Sequence, residues 1–282
     1  MSIKPKDRFL NVNRLRLHYL DWGNDGCQPM LLLHGFMGHA HVWDDFALSF
    51  KTYYHVIALD QRGHGESQWS EDEAYSIDDH FLDLAKFIEM LDLKDLIIIG
   101  HSMGGRNALF YTACITGNVG RLILVDARPA NNSKAVKALK HQLINLPLQA
   151  SSFDEVLRAI QTIYPYLSLG ICQHIASYGY KQIRHGKFVP KYDVRMSLHS
   201  DRLEYITENL WPFMENISCP TLIVRGKESS FLSREDARRM CRIIPQAEWG
   251  EIPKATHLPV QENPSAFKRM VSDFLNKWNE GG

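Results

Sequence analysis

Two residues far apart in the chain, a serine and a histidine, have the types and settings needed for nucleophilic chemistry. Ser102 stands in Gly100-His101-Ser102-Met103-Gly104, with Gly105 next. An apolar run, Leu96 to Ile99, leads straight into it, and helix-compatible sequence from Asn107 to Ala113 leaves it. A serine at such a strand–turn–helix corner is pushed out above the sheet by strained backbone, and the flanking glycines let two backbones pass closer than a Cβ allows. The helix starting at Met103 aims free N–H groups at any negative charge that develops there. A serine hydroxyl attacks poorly until an imidazole takes its proton. Of the 13 histidines, His257 in Lys254-Ala-Thr-His-Leu-Pro259 is the candidate base. It follows the last apolar run and comes after the serine in the chain.

A third segment complements these. His34-Gly35-Phe36-Met37-Gly38 lies at the end of another apolar run. The backbone N–H of Phe36, paired with that of Met103, is expected to form an oxyanion hole for a tetrahedral intermediate.

These groups need a scaffold, and the hydrophobic pattern supplies one. Phe9 to Asn13 and Leu15 to Asp21 read as strands, the second with clear alternation. Short apolar runs follow at Pro29–Leu33, His55–Leu59, Leu96–Ile99, Arg121–Val125, Thr221–Val224 and Ala247–Ile252. Helical stripes separate them: Ile77, Phe81, Leu84, Ile88 and Leu91 follow a Ser76-x-x-Asp79 capping box. Ser233-x-x-Asp236 and Asn263-Pro264 open two more helices. The fold class expected is α/β, a mostly parallel central sheet with helices on both faces. The rhythm breaks after Arg128. Residues 1–127 and 210–282 are therefore assigned to the core, and 128–209 to a helical cap insertion.

Composition narrows the function. Lys plus Arg and Asp plus Glu are both 32, a formal net charge of zero that gives no footprint for nucleic acid. No apolar run is long enough to span a bilayer, and the first residues lack a signal-peptide pattern. The cysteines number 5, scattered and without a Cys-x-x-Cys pair, which points to a reducing, cytoplasmic setting. No Gly-x-Gly-x-x-Gly or phosphate loop is present, so no cofactor is expected. His39-x-His41 has no acidic or cysteine partner beside it, so no metal is expected either. Nothing in the sequence specifies an oligomeric state.

On His34-Gly35-Phe36, Asp60-Gln-Arg-Gly-His-Gly-Glu-Ser67, Gly100-His-Ser-Met-Gly104 and His257, the chain resembles the α/β-hydrolase superfamily over nearly its whole length. The Asp60 to Ser67 segment looks like that family's D-x-R-G-x-G-x-S turn, which is architectural. The resemblance implies a third catalytic group, an acid, usually placed after the strand at Thr221 to Val224. Many relatives read Arg-Gly-x-x-Ser-Asp there, whereas this chain reads Arg225-Gly-Lys-Glu-Ser-Ser230. Serine at 230 supplies no charge to orient an imidazolium. Two carboxylates are candidates in its place. Asp126 ends the strand after the elbow helix, where certain lipases and dehalogenases carry their acid, and Glu228 lies beside the vacated position. Chemistry without a triad acid is the third possibility.

The function implied is hydrolysis of a small carboxylic ester through an acyl-enzyme on Ser102 with His257 as general base, under a cap whose Phe153, Tyr164, Tyr166 and Leu167 favour an apolar substrate. Gly100-x-Ser-Met-Gly-Gly-Arg106 also resembles a stretch of the menaquinone-pathway synthase that eliminates pyruvate, and perhydrolases share the elbow. Arg106 and Arg128 lie next to the site in sequence; they are candidates to receive a substrate carboxylate, with surface or structural roles the favoured alternative. A ligand-binding or signalling protein on the same scaffold is the non-enzymatic reading, and the missing acid is its main support.

Overall fold

The computed structural model describes residues 4–130, 145–198 and 208–279. Three strands open the chain, β1 (Lys6–Val12), β2 (Leu15–Asp21) and β3 (Pro29–Leu33). Then come α1 (Asp44–Phe50), β4 (His55–Leu59), α2 (Ile77–Met90), β5 (Leu96–His101), α3 (Met103–Cys114) and β6 (Val119–Val125). After β6 lie α4 (Phe153–Ile163), α5 (Leu169–Gly179) and two three-residue strands, β7 (Tyr180–Gln182) and β8 (Phe188–Pro190). The chain closes with β9 (Thr221–Gly226), α6 (Arg234–Ile243), β10 (Ala247–Ile252) and α7 (Pro264–Asn279).

Eight strands form one sheet in the order β1-β2-β4-β3-β5-β6-β9-β10. From β4 to β10 every neighbouring pair is parallel, and β2 runs against both of its neighbours. Successive strand side chains point to opposite faces, so each central strand feeds two cores. Leu31, Leu33 and Ile98 pack with Phe87 of α2, Leu109 of α3 and Met240 of α6. Met30, Leu32 and Ile99 pack on the other side with Phe46 of α1 and with Phe267 and Phe274 of α7. Burial on both faces explains the unbroken apolar runs, since no position of β5 is left to solvent.

The helix starts follow their capping sequences. Ser76 Oγ accepts the Asp79 N–H while the Asp79 carboxylate accepts the Ser76 N–H, closing the capping box of α2. Ser233 caps α6 through the Asp236 N–H, and Asn263 Oδ1 accepts the Ala266 N–H at the start of α7.

Several boundaries differ from expectation, β6 starting at Val119 and β9 ending at Gly226 among them. β1 begins at Lys6 rather than Phe9, because antiparallel pairing with β2 runs from Lys6–Asp21 to Val12–Leu15 whatever the polarity of its side chains. β5 continues through Gly100 to His101, held by β6 up to Val125. Between β6 and β9 the described residues contain α4 and α5, as helices were expected, but also the β7–β8 hairpin. Strands of three residues leave no apolar run to see in sequence. Of the segment 128–209, residues 131–144 and 199–207 lie outside the described residues.

Candidate active site

The elbow is built by backbone. Ser102 has φ +50° and ψ −112°, a strained conformation for a residue with a Cβ, and its N–H donates to Val125 O at 2.9 Å. A Cβ at Gly100 would stand 2.4 Å from Gly104 O, and one at Gly104 would stand 2.5 Å from Leu33 O. Those contacts show why strand, turn and helix close up only with glycine at these two places. They also press the start of α3 against the end of β3, so that Met103 and the His34–Phe36 segment meet beside Ser102.

The His34 ring fixes that segment. Its Nε2 accepts the Gln61 N–H at 3.0 Å, so the hydrogen lies on Nδ1, which donates to Gly35 O at 2.8 Å. Burial drives the His34 pKa down to about 4, keeping the ring neutral as this pattern demands. The Asp60 turn serves the same end: its carboxylate accepts the Ala40 and Glu66 N–H groups and the His18 ring.

His257 reaches the serine from the loop after β10. Its Nε2 lies 3.0 Å from Ser102 Oγ, and its Nδ1 lies 2.7 Å from Asp126 Oδ2. His101, next to the nucleophile, steadies this loop by donating from Nε2 to His257 O at 2.7 Å. Burial first, and then the neighbouring His257, lower the His101 pKa to about 3, so it stays a neutral donor. Asp126 is buried at the end of β6, with φ +44°, and its N–H bonds to Val224 O of β9 at 2.7 Å. Three neighbouring strands, β5, β6 and β9, thus present their carboxyl ends to one spot.

Glu228, the other candidate acid, points elsewhere. Its Oε2 accepts the Ala255 N–H at 3.0 Å, tying the loop after β9 to the loop that carries His257. Ser230 is exposed; it is Ser229 that faces inward, its hydroxyl 2.6 Å from Asp126 Oδ2. Phe231 stacks on His257 with ring centroids 3.8 Å apart and planes 15° from parallel. The sequence assigned no role to Ser229, although it matches the serine of the relatives' Arg-Gly-x-x-Ser-Asp, nor to Phe231, because only the fold brings the one to Asp126 and the other to the imidazole.

Arg106 and Arg128 are engaged by the protein itself. Buried Arg106 donates to Arg128 O and Pro129 O at 2.9 Å each and to Glu208 O at 2.8 Å. Arg128 pairs with Asp236 at 2.7 Å. His39 and His41 also have partners: His39 Nε2 lies 3.3 Å from Ile175 O, and His41 Nδ1 lies 2.9 Å from Asp44 Oδ2. Among the described residues, Asp21, Asp25 and His55 are the group whose ligand atoms gather within 4.8 Å. They sit at the amino end of β4, away from the serine.

A cavity of about 80 Å³ reaches the neighbours of the serine and histidine, lined by Phe36, His101 and Leu258 from the core and by Tyr164, Tyr180 and Tyr192 from the segment between β6 and β9. A larger cleft of about 1050 Å³ shares Val42, Ile175 and Gln261 with it and runs between α5 and the segment around α1. Among the described residues no helix is long and apolar enough to cross a membrane, and the five cysteines are free thiols.

Comparison with known proteins bears on the family and the fold. Residues 28–162 match the family described as alpha/beta hydrolase fold. The chain is 25% identical over 273 residues to a 2-(acetamidomethylene)succinate hydrolase of Mesorhizobium japonicum, covering 95% of each. It is 26% identical over 281 residues to a human monoacylglycerol lipase, covering 95% of this chain and 81% of the lipase. The crystal structure of an E-2-(acetamidomethylene)succinate hydrolase superposes with a TM-score of 0.88 over 96% of this chain and 99% of that one, at 23% identity, a likeness of fold.

Proposed function

The chain belongs to the α/β-hydrolase superfamily, and we propose that within it this protein is a serine hydrolase cleaving a small carboxylic ester. The observation carrying this reading is the run of hydrogen-bonded groups from Ser102 Oγ to His257 Nε2 at 3.0 Å and from His257 Nδ1 to Asp126 Oδ2 at 2.7 Å. Ser102 Oγ attacks the ester carbonyl as His257 Nε2 takes its proton, while Asp126 holds the Nδ1–H tautomer and balances the imidazolium. The N–H groups of Phe36 and Met103 receive the oxyanion. The imidazolium then protonates the departing alcohol, and a water activated by the same ring releases the acid from Ser102.

The 80 Å³ cavity supports a small acyl group, and its tyrosine and leucine walls favour a weakly polar one. On this reading the segment between β6 and β9 caps the site, because it supplies Tyr164, Tyr180 and Tyr192 to the wall. The engagement of Arg106 and Arg128 in structural bonds weighs against the multiply charged substrate of lyase chemistry. The Asp126–His257 contact weighs against a scaffold retained only for ligand binding. Five free thiols support a reducing, cytoplasmic setting.

The test is a fluorophosphonate reaction read by intact mass, alongside turnover of a short-chain aryl ester. The wild type is expected to gain one adduct and Ser102→Ala none, with turnover of the variant below about a hundredth of wild type. An unlabelled wild type, or a variant above that level, would defeat the proposal.

A further inference from the structure

Asp126 is anchored through one oxygen. Its Oδ2 accepts both the His257 Nδ1–H, at 2.7 Å, and the Ser229 hydroxyl, at 2.6 Å. Its Oδ1 is buried and has no hydrogen-bond partner among the described residues. The terminal torsion of a carboxylate is soft, so a single bond to a ring that must itself be aimed would leave acid and base free to turn together. The Ser229 hydroxyl is the second point that stops this rotation. It is directed by the backbone, since Ser229 Oγ accepts the Phe231 N–H at 3.0 Å and so turns its own hydrogen toward Oδ2. A hydroxyl donated to a carboxylate is charge-assisted, and 2.6 Å lies in the range of such bonds.

The same loop reaches the base. The Phe231 ring lies flat on His257, 3.8 Å between centroids, so the imidazolium formed when Ser102 loses its proton rests on an aromatic face. The loop has a rigid footing: buried Arg225 donates to Leu232 O and to Ser229 O, both at 2.9 Å.

We propose that the loop after β9 is a two-sided clamp on the acid–base pair, with Ser229 orienting Asp126 and Phe231 holding and stabilising the protonated form of His257. Both are positioning residues, acting through groups that touch the reacting atoms. The inference rests on the assignment of Ser102, His257 and Asp126 as the working triad. The proton from Ser102 Oγ stays on His257 Nε2 until it leaves with the alcohol, and Asp126 remains an anion throughout.

The experiment combines ester kinetics with proton NMR of the resting enzyme, read at the low-field signal of the His257 Nδ1–H. Ser229→Ala is expected to shift or broaden that signal and to lower kcat about 10-fold with KM within about twofold, while Ser229→Thr, which keeps the hydroxyl, stays near wild type. Phe231→Leu is expected to move the acidic limb of the kcat profile to lower pH, because the imidazolium loses its aromatic support. An unchanged low-field signal in Ser229→Ala, a Thr variant as impaired as the Ala variant, or an unmoved acidic limb would overturn the clamp. Fluorophosphonate labelling of the wild type reads the triad assignment separately: a shifted signal in an unlabelled protein would defeat that assignment while upholding the contact at Asp126.

Discussion

The carboxyl edge of the sheet and the helical segment between β6 and β9 are fixed by different physics. At the sheet edge, position comes from backbone: ladder bonds such as Asp126 N–H to Val224 O, close approaches at Gly100 and Gly104, and a forced φ at Ser102. In the other region, position comes from side chains. Ile160, Val156 and Cys172 pack into a small apolar core of their own, and α5 meets the body of the protein through His174, which donates to His41 O at 2.8 Å, and through Tyr178, stacked 3.6 Å from the His41 ring. The difference teaches that the chemistry here is positioned chiefly by backbone, while the walls of the pocket are positioned chiefly by side-chain packing.

The largest effect that would break this comparison is at the acid. Asp126→Asn is expected to cost roughly a thousandfold or more in kcat, and Glu228→Gln no more than a few-fold, measured as steady-state ester turnover. The reverse ranking would mean that the loop, not the strand end, supplies the charge.

The acid also marks where the sequence stopped being legible. Ser102 and His257 stood out because an elbow demands glycines at fixed spacing and because the base lies beyond the last strand. The choice between Asp126 and Glu228 did not, since two strand ends lead to the same imidazole and only the sheet order, with β6 beside β9, puts Asp126 in reach. Ser229 stood in the quoted Arg225–Ser230 stretch without a role and Phe231 in no motif, because the partner that gives Ser229 its meaning lies 103 positions away. The β7–β8 hairpin was lost for want of length, whereas the central strands β3, β4, β5, β6 and β9 were visible because both of their faces are largely buried.

A middle-sized effect concerns the helical segment. Ile160 is 2% exposed, and Ile160→Ala is expected to cost about 2–5 kcal/mol within its small core. Amide exchange should then quicken in α4 and α5 while β5 and β6 keep their protection. Equal quickening in both regions would show that they unfold as one unit.

The smallest effect is one of pH. The His174 pKa is raised above its ordinary 6.5, chiefly by its hydrogen bond to Asp44, with burial opposing. Asp44 is held below its ordinary 3.8, because hydrogen bonds from His174 and His41 outweigh a burial that disfavours its charge. A raised histidine contributes stability that is complete below 6.5 and fades as pH rises through its folded value. A depressed carboxylate contributes above 3.8 and fades as pH falls through its own. The grip of α5 should therefore be firmest between these two values and relax on the alkaline side. Protection of the α5 amides, taken relative to their intrinsic exchange rate at each pH, is expected to fall modestly from pH 6 to pH 8 in the wild type, and much less so in His174→Gln.

Arg106 gives the molecule a neck. One guanidinium, rooted in the helix that follows the nucleophile, holds the carbonyls of residues 128 and 129 on the outgoing strand of chain and of residue 208 on the returning one, and Leu210 N–H bonds to Pro129 O at 2.8 Å just beneath. Among the described residues the two stems are joined at this ring, two residues beyond Asp126, and the segment meets the core again at Asp193, whose N–H bonds to Gly63 O at 2.7 Å. The ring thus marks a natural seam: a different pocket wall spliced in above residues 129 and 208 would begin and end at points the scaffold already holds together.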